Sequence, residues 1–357
     1  MAVIEEPGTD GQDPQMSEPR HSSSGDRFLA GLGRSWLFFF FIGLLAFFWL
    51  TTPPGTFLTW SNLEQIALST SEVILLAIGQ TFVIVTAGID LSIGGILFFS
   101  AVCGGEVMLN LSGTSTQTIN GQYPHDAVGI PVGIIVCILA GTFWGFANGM
   151  LITRLRLPPF IVTLGTLGMT LGLGDLIDGG SYLPAPVPPG LSDGFGSQKI
   201  FGLYAPIYVA AFVLIVAHVF FRYARFGRYT AAIGSNAEGA RRAGINVDRH
   251  IVKVYALAGL CAGLAAILDL AIYTNTTSVS HQSDNLNAIA AVVIGGTSLF
   301  GGVGTIIGSA IGAFIPTVLQ NGLVIKNVSP FWQEVVVGAT IILAVYLDQL
   351  RRRRTNT

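Results

Sequence analysis

The stretch RYARFGRYTAAIGSNAEGARRAGINVDRHIVK, residues 222–253, is the only long charged interruption in a chain that is otherwise mostly apolar. Of the 357 residues, 51% are hydrophobic and only 11% are charged. The apolar residues fall in runs of membrane-spanning length, and this composition is too apolar for a soluble domain. The sequence therefore predicts an all-α polytopic membrane protein, with segments that lie before or after this charged stretch.

Apolar runs recur along the chain, and we interpret about ten of them as transmembrane helices. They cover approximately residues 35–52, 62–86, 93–111, 129–152, 158–177, 203–221, 252–273, 286–300, 303–323 and 331–348. The eighth run is short and leads into Gly295-Gly296, which indicates a broken or re-entrant helix of the kind that lines a cavity.

The basic residues predict the orientation of these spans. With both termini in the cytoplasm, 16 of the 18 Lys and Arg residues lie inside, and only Lys199 and Lys326 lie outside. Such a bias is what the positive-inside rule predicts for an even number of spans. We divide the chain into a disordered cytoplasmic tail (1–33), a transmembrane domain (34–349) with a cytoplasmic loop at 222–250, and a basic cytoplasmic tail (350–357).

A short cytoplasmic helix is predicted within the charged stretch. Ser235-Asn236-Ala237-Glu238 fits a capping box with Ser235 at the N-cap, and Gly244 fits a C-terminal stop. Small residues along one face, including Ala240, would let another protein approach closely. An amphipathic helix that rests on anionic lipid headgroups is the alternative interpretation.

Carboxylates inside the spans are expected to face a cavity, a partner or an interface, because each costs about 2.5 to 3.5 kcal/mol to place in hydrocarbon. They are Glu72, Asp90, Glu106, Asp175 and Asp269. Asp90 follows a break at Thr86-Ala87-Gly88, where Asp90 and Ser92 are able to cap the next helix, line a translocation path, or do both.

Several chemistries lack their motifs in this sequence. There is no P-loop, no H-E-x-x-H, no serine nucleophile elbow and no Cys/His metal spacing, so we predict no catalytic residues and no metal site. The net charge of −2 gives no reason to expect nucleic acid binding. A transport path is the remaining interpretation; an ATP-independent secondary transporter is disfavoured because no proton relay of Asp, Glu and His is evident.

Four blocks resemble the ribose-type monosaccharide permeases, the membrane subunits of bacterial ABC importers in the branched-chain amino acid/sugar permease superfamily. The blocks are GQTFVIVTAGIDLSIGG (79–95), ANGMLITRLRLPPFIVTLGTLGMTLGL (147–173), FGRYTAAIGSNAEGARRAGINV (226–247) and AIAAVVIGGTSLFGGVGTIIGSAIGA (288–313). Before the last block this chain has Asn285-Leu286-Asn287, where the family usually has Glu-Leu-Asp. This departure puts the identity of the substrate in doubt more than the fold.

The resemblance implies a permease in the bacterial inner membrane that imports a sugar or related polyol; an amino acid is the alternative cargo. It implies a second permease copy as a homodimer, surrounding membrane lipid, a periplasmic sugar-binding protein, and a cytoplasmic ATPase that binds ATP and Mg, with no cofactor in this chain. The implied ATPase-coupling residues are Ser235, Asn236, Glu238, Ala240, Arg241, Arg242 and Gly244.

Polar residues within these blocks and within other spans are our candidates for the substrate path. Each has an alternative role as an interhelical hydrogen-bonding group. The candidates are Gln80, Thr81, Asp90, Ser92, Asn148, Thr163, Thr166, Thr297, Ser298 and Asn321.

Overall fold

The computed structural model describes residues 24–180, 182–329, 331–333, 335–340, 342–343 and 346, with side chains from residue 38 onward. These residues are almost entirely helical. The longer helices are α1 (Ser24–Thr51), α2 (Trp60–Val85), α3 (Ile93–Ser112), α5 (Asp126–Arg154), α6 (Pro159–Asp178), α8 (Ala205–Tyr223), α9 (Arg225–Ser235), α11 (Val247–Tyr273), α12 (Asp284–Ile294) and α13 (Ile306–Ile325). The shorter elements are α4 (Ser115–Ile119), α7 (Pro189–Leu191), β1 (Lys199–Ile200), β2 (Leu203–Tyr204) and α10 (Ala237–Arg242).

Seven helices of the described part are long and apolar enough to cross a membrane, namely α2, α3, α5, α6, α8, α11 and α13. Two shorter apolar helices, Phe38–Thr51 within α1 and α12, lie where the first and eighth spans were predicted. The prediction of a polytopic helical membrane protein is therefore confirmed.

Parts of the chain lie outside the described residues. Residues 1–23 of the predicted N-terminal tail and the predicted C-terminal tail, 350–357, are among them, whereas residues 24–33 belong to α1. The predicted tenth span, 331–348, is described only in part, and residues 331–333 and 335–340 are helical.

The helices differ in how deeply they lie in the bundle. Within its most apolar window, 89% of α2 is buried, whereas the corresponding values are 28% for α5 and α6 and 22% for α8. Helix α2 is thus central, and α5, α6 and α8 each turn an apolar face outward, as helices at the perimeter of a membrane bundle do.

Glycines bring α5 and α11 into backbone contact. A Cβ placed on Gly145 would lie 2.2 Å from the carbonyl oxygen of Tyr255, and one on Gly141 would lie 2.3 Å from that of Gly259. A Cβ on Gly259 would in turn lie 2.1 Å from the Gly141 oxygen. Only glycine permits this separation, which is the close packing that small residues allow between helices in lipid.

The helical chain is interrupted at both predicted positions, between α2 and α3 and between α12 and α13. Helix α2 ends at Val85, Ala87 adopts a left-handed conformation (φ 62°), and α3 begins at Ile93. The predicted helix cap is not formed: the Ser92 side chain, at the N-cap position of α3, makes no capping bond, and Asp90 Oδ1 instead accepts hydrogen bonds from the backbone nitrogen and hydroxyl of Ser92.

The connections on the predicted outer side hold one another in place. Tyr123 donates a hydrogen bond to the carbonyl oxygen of Pro186 (2.6 Å), and the backbone nitrogen of Val187 donates to Thr274 (2.9 Å). The hairpin β1–β2 turns at Phe201-Gly202, where both φ angles are positive (50° and 87°) as a type I′ turn requires. Residues 182–202 are thus ordered by turns, short elements and hydrogen bonds to other loops on the predicted outer side.

We predict that Gly145→Ala destabilises the protein, because the added methyl group collides with the α11 backbone. Overpacking of this kind typically costs about 1 to 3 kcal/mol. The measurement is the melting temperature of the purified protein in detergent. The matched control is Gly165→Ala on α6, where nothing lies within 4 Å of the added carbon; equal melting temperatures for the two variants would contradict the role assigned to the α5–α11 contact.

Candidate functional site

A polar cavity of about 350 Å³ lies between α2, α11, α12, α13 and the loop that joins α11 to α12. This loop is on the side predicted to be external. Hydroxyl, amide, carboxylate and imidazole groups dominate the lining. The lining residues are Ser69, Glu72, Val73, Asp269, Tyr273, Asn275, Thr276, Ser280, His281, Ser283, Asp284, Asn287, Thr317 and Gln320.

His281 is the centre of the charged cluster in this cavity. Its Nδ1 lies 2.7 Å from Asp284 Oδ2, and its Nε2 lies 2.9 Å from Thr276 Oγ1 and 3.5 Å from Asp269 Oδ2. Burial opposes a charged ring, but the two carboxylates outweigh burial and hold the pKa of His281 well above its usual value. Both ring nitrogens face oxygen atoms, an arrangement that suits a protonated imidazole, which donates from both nitrogens.

Glu72 completes the cluster from α2, with a side chain that is 8% exposed. One potential ligand atom from each of Glu72, His281 and Asp284 lies within 4.8 Å of the others, a spacing that a metal ion could bridge. However, both ring nitrogens of His281 already face protein oxygens, so the imidazole offers no lone pair to an ion. The geometry fits an ion network better than a metal centre, and the absence of a metal site stays a prediction.

Negative charge prevails in the cavity. Three carboxylates, from Glu72, Asp269 and Asp284, face a single imidazole, and no Lys or Arg is among the lining residues. Asn287 adds a buried amide whose Oδ1 has no hydrogen-bond partner within the described chain. The cavity thus offers mainly acceptors, together with the hydroxyl groups of Ser69, Thr276 and Thr317.

The ten residues predicted to line a substrate path lie elsewhere, and none of them lines this cavity. Ser92, Asn148 and Thr166 form a buried chain that joins the start of α3 to α5 and α6. Asn148 Nδ2 donates to Ser92 Oγ (2.9 Å), and the Thr166 hydroxyl donates to Asn148 Oδ1 (2.6 Å). Asp90 extends this chain through its bonds with Ser92.

The other six candidates also form mainly local or interhelical contacts. Gln80 Nε2 donates to the Asp90 carbonyl (3.0 Å), and the hydroxyls of Thr81 and Ser309 lie 2.7 Å apart. Asn321 and Asn62 exchange two amide hydrogen bonds (2.9 and 3.0 Å).

Three remain. Thr163 bonds its own helix at Pro159 (3.0 Å), Ser298 Oγ accepts from the Phe300 nitrogen (3.2 Å), and the buried Thr297 hydroxyl has no partner among the described residues. A role for these ten residues in the path stays a prediction.

The short helix predicted to be cytoplasmic is α10, but its cap is one residue later than predicted. Asn236 Oδ1 accepts from the Gly239 nitrogen (2.8 Å), whereas Ser235 is the last residue of α9. The capping box at Ser235 is therefore wrong, because the preceding helix continues through that residue. Gly244 adopts φ 84° after the helix, as the predicted stop requires.

One face of α10 packs against its own chain and the other is exposed. Ala240 is buried with Ile233 of α9 and Val247 of α11, so it is not available to a partner. Glu238 pairs with Arg242 (3.2 Å), and Arg241 pairs with Asp248 (3.1 Å); all four side chains are exposed. The exposed face of α10 is thus charged and ordered.

The end of α9 lies against both interruptions, at the end of α2 and in the loop between α12 and α13. The Gly302 nitrogen, in the loop between α12 and α13, donates to the carbonyl of Val85 at the end of α2 (2.9 Å). A Cβ on Gly234 would lie 1.8 Å from that same carbonyl oxygen, so the α9 backbone is in contact with it. Displacement of α9 and α10 must therefore move the end of α2 or break this contact.

Sequence reasoning identified part of the cavity and missed the rest. Glu72 and Asp269 were singled out as carboxylates in need of a polar environment, and both line the cavity. His281 and Asp284 were not singled out, although a histidine three residues before an acid in the first turn of a helix was a usable local signal.

Comparison with known proteins places this chain among the permease components of transport systems. Residues 62–345 match the family described as branched-chain amino acid transport system / permease component. No solved structure gives a significant match.

Several curated relatives are sugar permeases of Escherichia coli (strain K12). The chain is 33% identical to the ribose import permease protein over 313 residues, which cover 85% of this chain and 90% of the relative. It is 33% identical to the galactose/methyl galactoside import permease protein (92% and 97% covered) and 33% identical to the D-allose transport system permease protein (87% and 90% covered). The resemblance drawn from the sequence blocks is thus confirmed.

We predict that His281→Ala destabilises the protein by about 3 to 5 kcal/mol, because it leaves buried carboxylates without their cation. The measurement is the melting temperature of wild type and variant across pH. Since the folded pKa of His281 is raised, the wild-type advantage is full below the unfolded pKa and decreases as pH rises through the folded pKa. The control is His125→Ala, an exposed histidine that makes no capping bond; a comparable loss there would contradict the ion network.

Proposed function

This chain belongs to the branched-chain amino acid transport system / permease component family, and we propose that it is the permease subunit of an ATP-driven importer of a monosaccharide or related polyol. A periplasmic binding protein delivers the solute, and the permease resides in the bacterial inner membrane. The observation that carries the proposal is the similarity to three sugar permeases over 85–92% of this chain.

The lining of the cavity supports a polyhydroxylated cargo. Carboxylates and amides accept hydrogen bonds from sugar hydroxyls, and Tyr273 adds an aromatic face beside Glu72 and Asp269. A volume of about 350 Å³ lies within the range of roughly 300–1,000 Å³ that is usual for small-molecule sites. The excess of carboxylates would also suit the ammonium group of an amino acid, which is the second candidate cargo.

The contacts between loops support a topology of about ten spans with both termini cytoplasmic. Connections assigned to the outside contact one another, as Val187 does with Thr274, and those assigned to the inside do the same, as Gly302 does with Val85. In this topology the cavity opens outward, and residues 34–349 form the permease domain between two cytoplasmic tails.

Coupling to the ATPase is assigned to the exposed face of α10, with Glu238, Arg241 and Arg242 as the contacting residues. Asn236 caps the start of this helix, Gly244 follows its end, Ser235 is the last residue of the preceding helix α9, and Ala240 packs α10 against the chain. In the proposed cycle, ATP and Mg bind to the partner ATPase, whose closure displaces α9 and α10 and thereby the end of α2.

Two further partners complete the proposed assembly. A second copy of this chain forms the other half of the permease, as a homodimer. On the outer side, the hairpin β1–β2 presents Phe201, which is 98% exposed, and Lys199 of this hairpin forms an ion pair with Glu64 of α2. The hydrogen bond with Glu64 raises the pKa of Lys199 and stabilises its charge. This braced apolar tip is a suitable contact for the binding protein.

The proposal predicts that an ATPase and a soluble binding protein copurify with this chain from mild detergent, and that reconstitution of all three gives solute-stimulated ATP hydrolysis. Mass spectrometry identifies the subunits, and thermal shift of the binding protein with aldoses, polyols and amino acids identifies the cargo. A stable preparation with no ATPase would overturn the importer, and a shift with amino acids alone would select the second cargo.

A cavity variant separates transport from assembly. Gln320→Leu removes a polar group that lines the cavity and has no hydrogen bond to the rest of the described chain. It should lower solute uptake several-fold while the three subunits still copurify. Gln122→Leu, in an exposed outer loop away from the cavity, is the control.

For coupling, we predict that Arg241→Glu combined with Arg242→Glu abolishes copurification of the ATPase, because both exposed cations are reversed while the buried face of α10 is unchanged. Association with the ATPase is measured by pull-down, and transport is measured as ATP-driven uptake in vesicles. Arg156→Glu, an exposed residue on another predicted cytoplasmic loop, controls for charge reversal at this membrane face. Wild-type association of the double variant would refute the assignment of α10.

A further inference from the structure

A second cavity, distinct from the polar one, lies in a groove between α5 and α11 on the predicted cytoplasmic side. Its volume is about 320 Å³. One part of its lining is basic and the other is largely apolar. The lining residues are Phe146, Met150, Thr153, Arg154, Asp248, Arg249, Val252, Lys253 and Ala256.

The three cations of this groove have no carboxylate partner. Arg154, Arg249 and Lys253 are exposed and form no ion pair within the described residues. The single anion in the lining, Asp248, is already paired with Arg241 of α10 (3.1 Å). The groove therefore has an excess of positive charge that this chain does not neutralise.

The apolar part of the groove continues along the outer face of α5 toward the middle of the predicted membrane. Met150 lies about one turn and Phe146 about two turns before Arg154, and Val252 and Ala256 lie beside Arg249 and Lys253 on α11. The cationic side chains of the groove thus lie nearest the predicted membrane surface, and its apolar side chains lie deeper.

Beyond Phe146, an exposed apolar stripe extends the groove. Ile135, Leu139, Phe143 and Phe146 are between 47% and 62% exposed and follow one another at helical spacing. From Arg154 to Phe143 the helix rises roughly 16 Å at about 1.5 Å per residue. This is about half of the hydrocarbon thickness of roughly 30 Å, so a lipid whose phosphate lies at Arg154 reaches Phe146 and Phe143, the nearest residues of the stripe, within one leaflet.

We propose that this groove binds an anionic phospholipid of the cytoplasmic leaflet, with the phosphate between Arg154, Arg249 and Lys253 and one acyl chain along Phe146 and the α5 stripe. A free anion would use the cations but not the apolar part. A second protein would need carboxylates at the rim and apolar side chains below it, whereas an anionic lipid supplies both features in the observed order.

The test uses the purified full-length chain after removal of native lipid. Native mass spectrometry compares dioleoyl phosphatidylglycerol with dioleoyl phosphatidylethanolamine, which has the same acyl chains and no net charge. Phosphatidylglycerol should bind with at least about tenfold higher affinity, since cations near the surface each attract anionic lipid. Equal affinity for the two lipids would overturn the proposal.

Two variants localise the binding. Arg249→Gln combined with Lys253→Gln should weaken phosphatidylglycerol binding about tenfold, whereas Arg156→Gln combined with Arg225→Gln, which removes two exposed charges from the same membrane face outside the groove, should leave it unchanged. Ala256→Trp keeps every cation but fills the apolar part, and it should also weaken binding. Melting temperatures confirm that the variants are folded, and unchanged binding in the groove variants would refute the site.

Two outcomes would identify another occupant. If glycerophosphoglycerol, the headgroup without acyl chains, competes as well as the lipid does, the groove is an anion site. If a cysteine at Val252 cross-links in native membranes to a second copy of the chain or to the ATPase, the groove is a protein interface. Either result rejects the lipid and leaves the proposed transport function unaffected.

Discussion

Backbone contact between α5 and α11 is the constraint on which the rest of the bundle depends. Helices in lipid gain little from covering apolar surface, so their association relies on close packing. Gly141, Gly145 and Gly259 remove the side chains that would separate the two helices. On its other side α11 meets α2 at Gly79, where a Cβ would lie 2.9 Å from the Ala258 Cα. Helix α11 is thus held between two neighbours, and this fixes Asp269 near one of its ends and the groove residues near the other.

Local signals allowed much of this architecture to be predicted from the sequence. Apolar runs located the spans, and the Thr86-Ala87-Gly88 break and Gly295-Gly296 located the interruptions. The short helix within the charged stretch was also predicted, although its cap is Asn236 and not Ser235. Both residue types cap helices well. The choice between them depends on how far α9 extends, and a tertiary contact between Gly234 and Val85 influences this.

The polar residues of the spans were harder to assign. A hydroxyl or amide in a span either lines a path or bonds to a neighbouring helix, and the two alternatives look the same in a sequence. In the structure most of these groups bond to protein, as Asn148 does with Ser92 and Thr166. Carboxylates gave a stronger signal because each costs several times more to bury than an interhelical hydrogen bond returns, which averages about 0.6 kcal/mol. The cavity itself could not be predicted, since its lining residues extend along the chain from Ser69 to Gln320.

Helix α2 connects the two ends of the proposed transport cycle. Glu72 lines the polar cavity, and Val85, at the C-terminal end of the same helix, contacts Gly302 and the backbone of Gly234. The two residues are separated by roughly 20 Å at about 1.5 Å per residue. Because α2 is buried along most of its length and unbroken between them, it moves as one body. In the proposed cycle, a displacement of α9 and α10 by an ATPase would change the cavity wall through α2, and a solute that prefers one position of that wall would, by reciprocity, favour one position of α10.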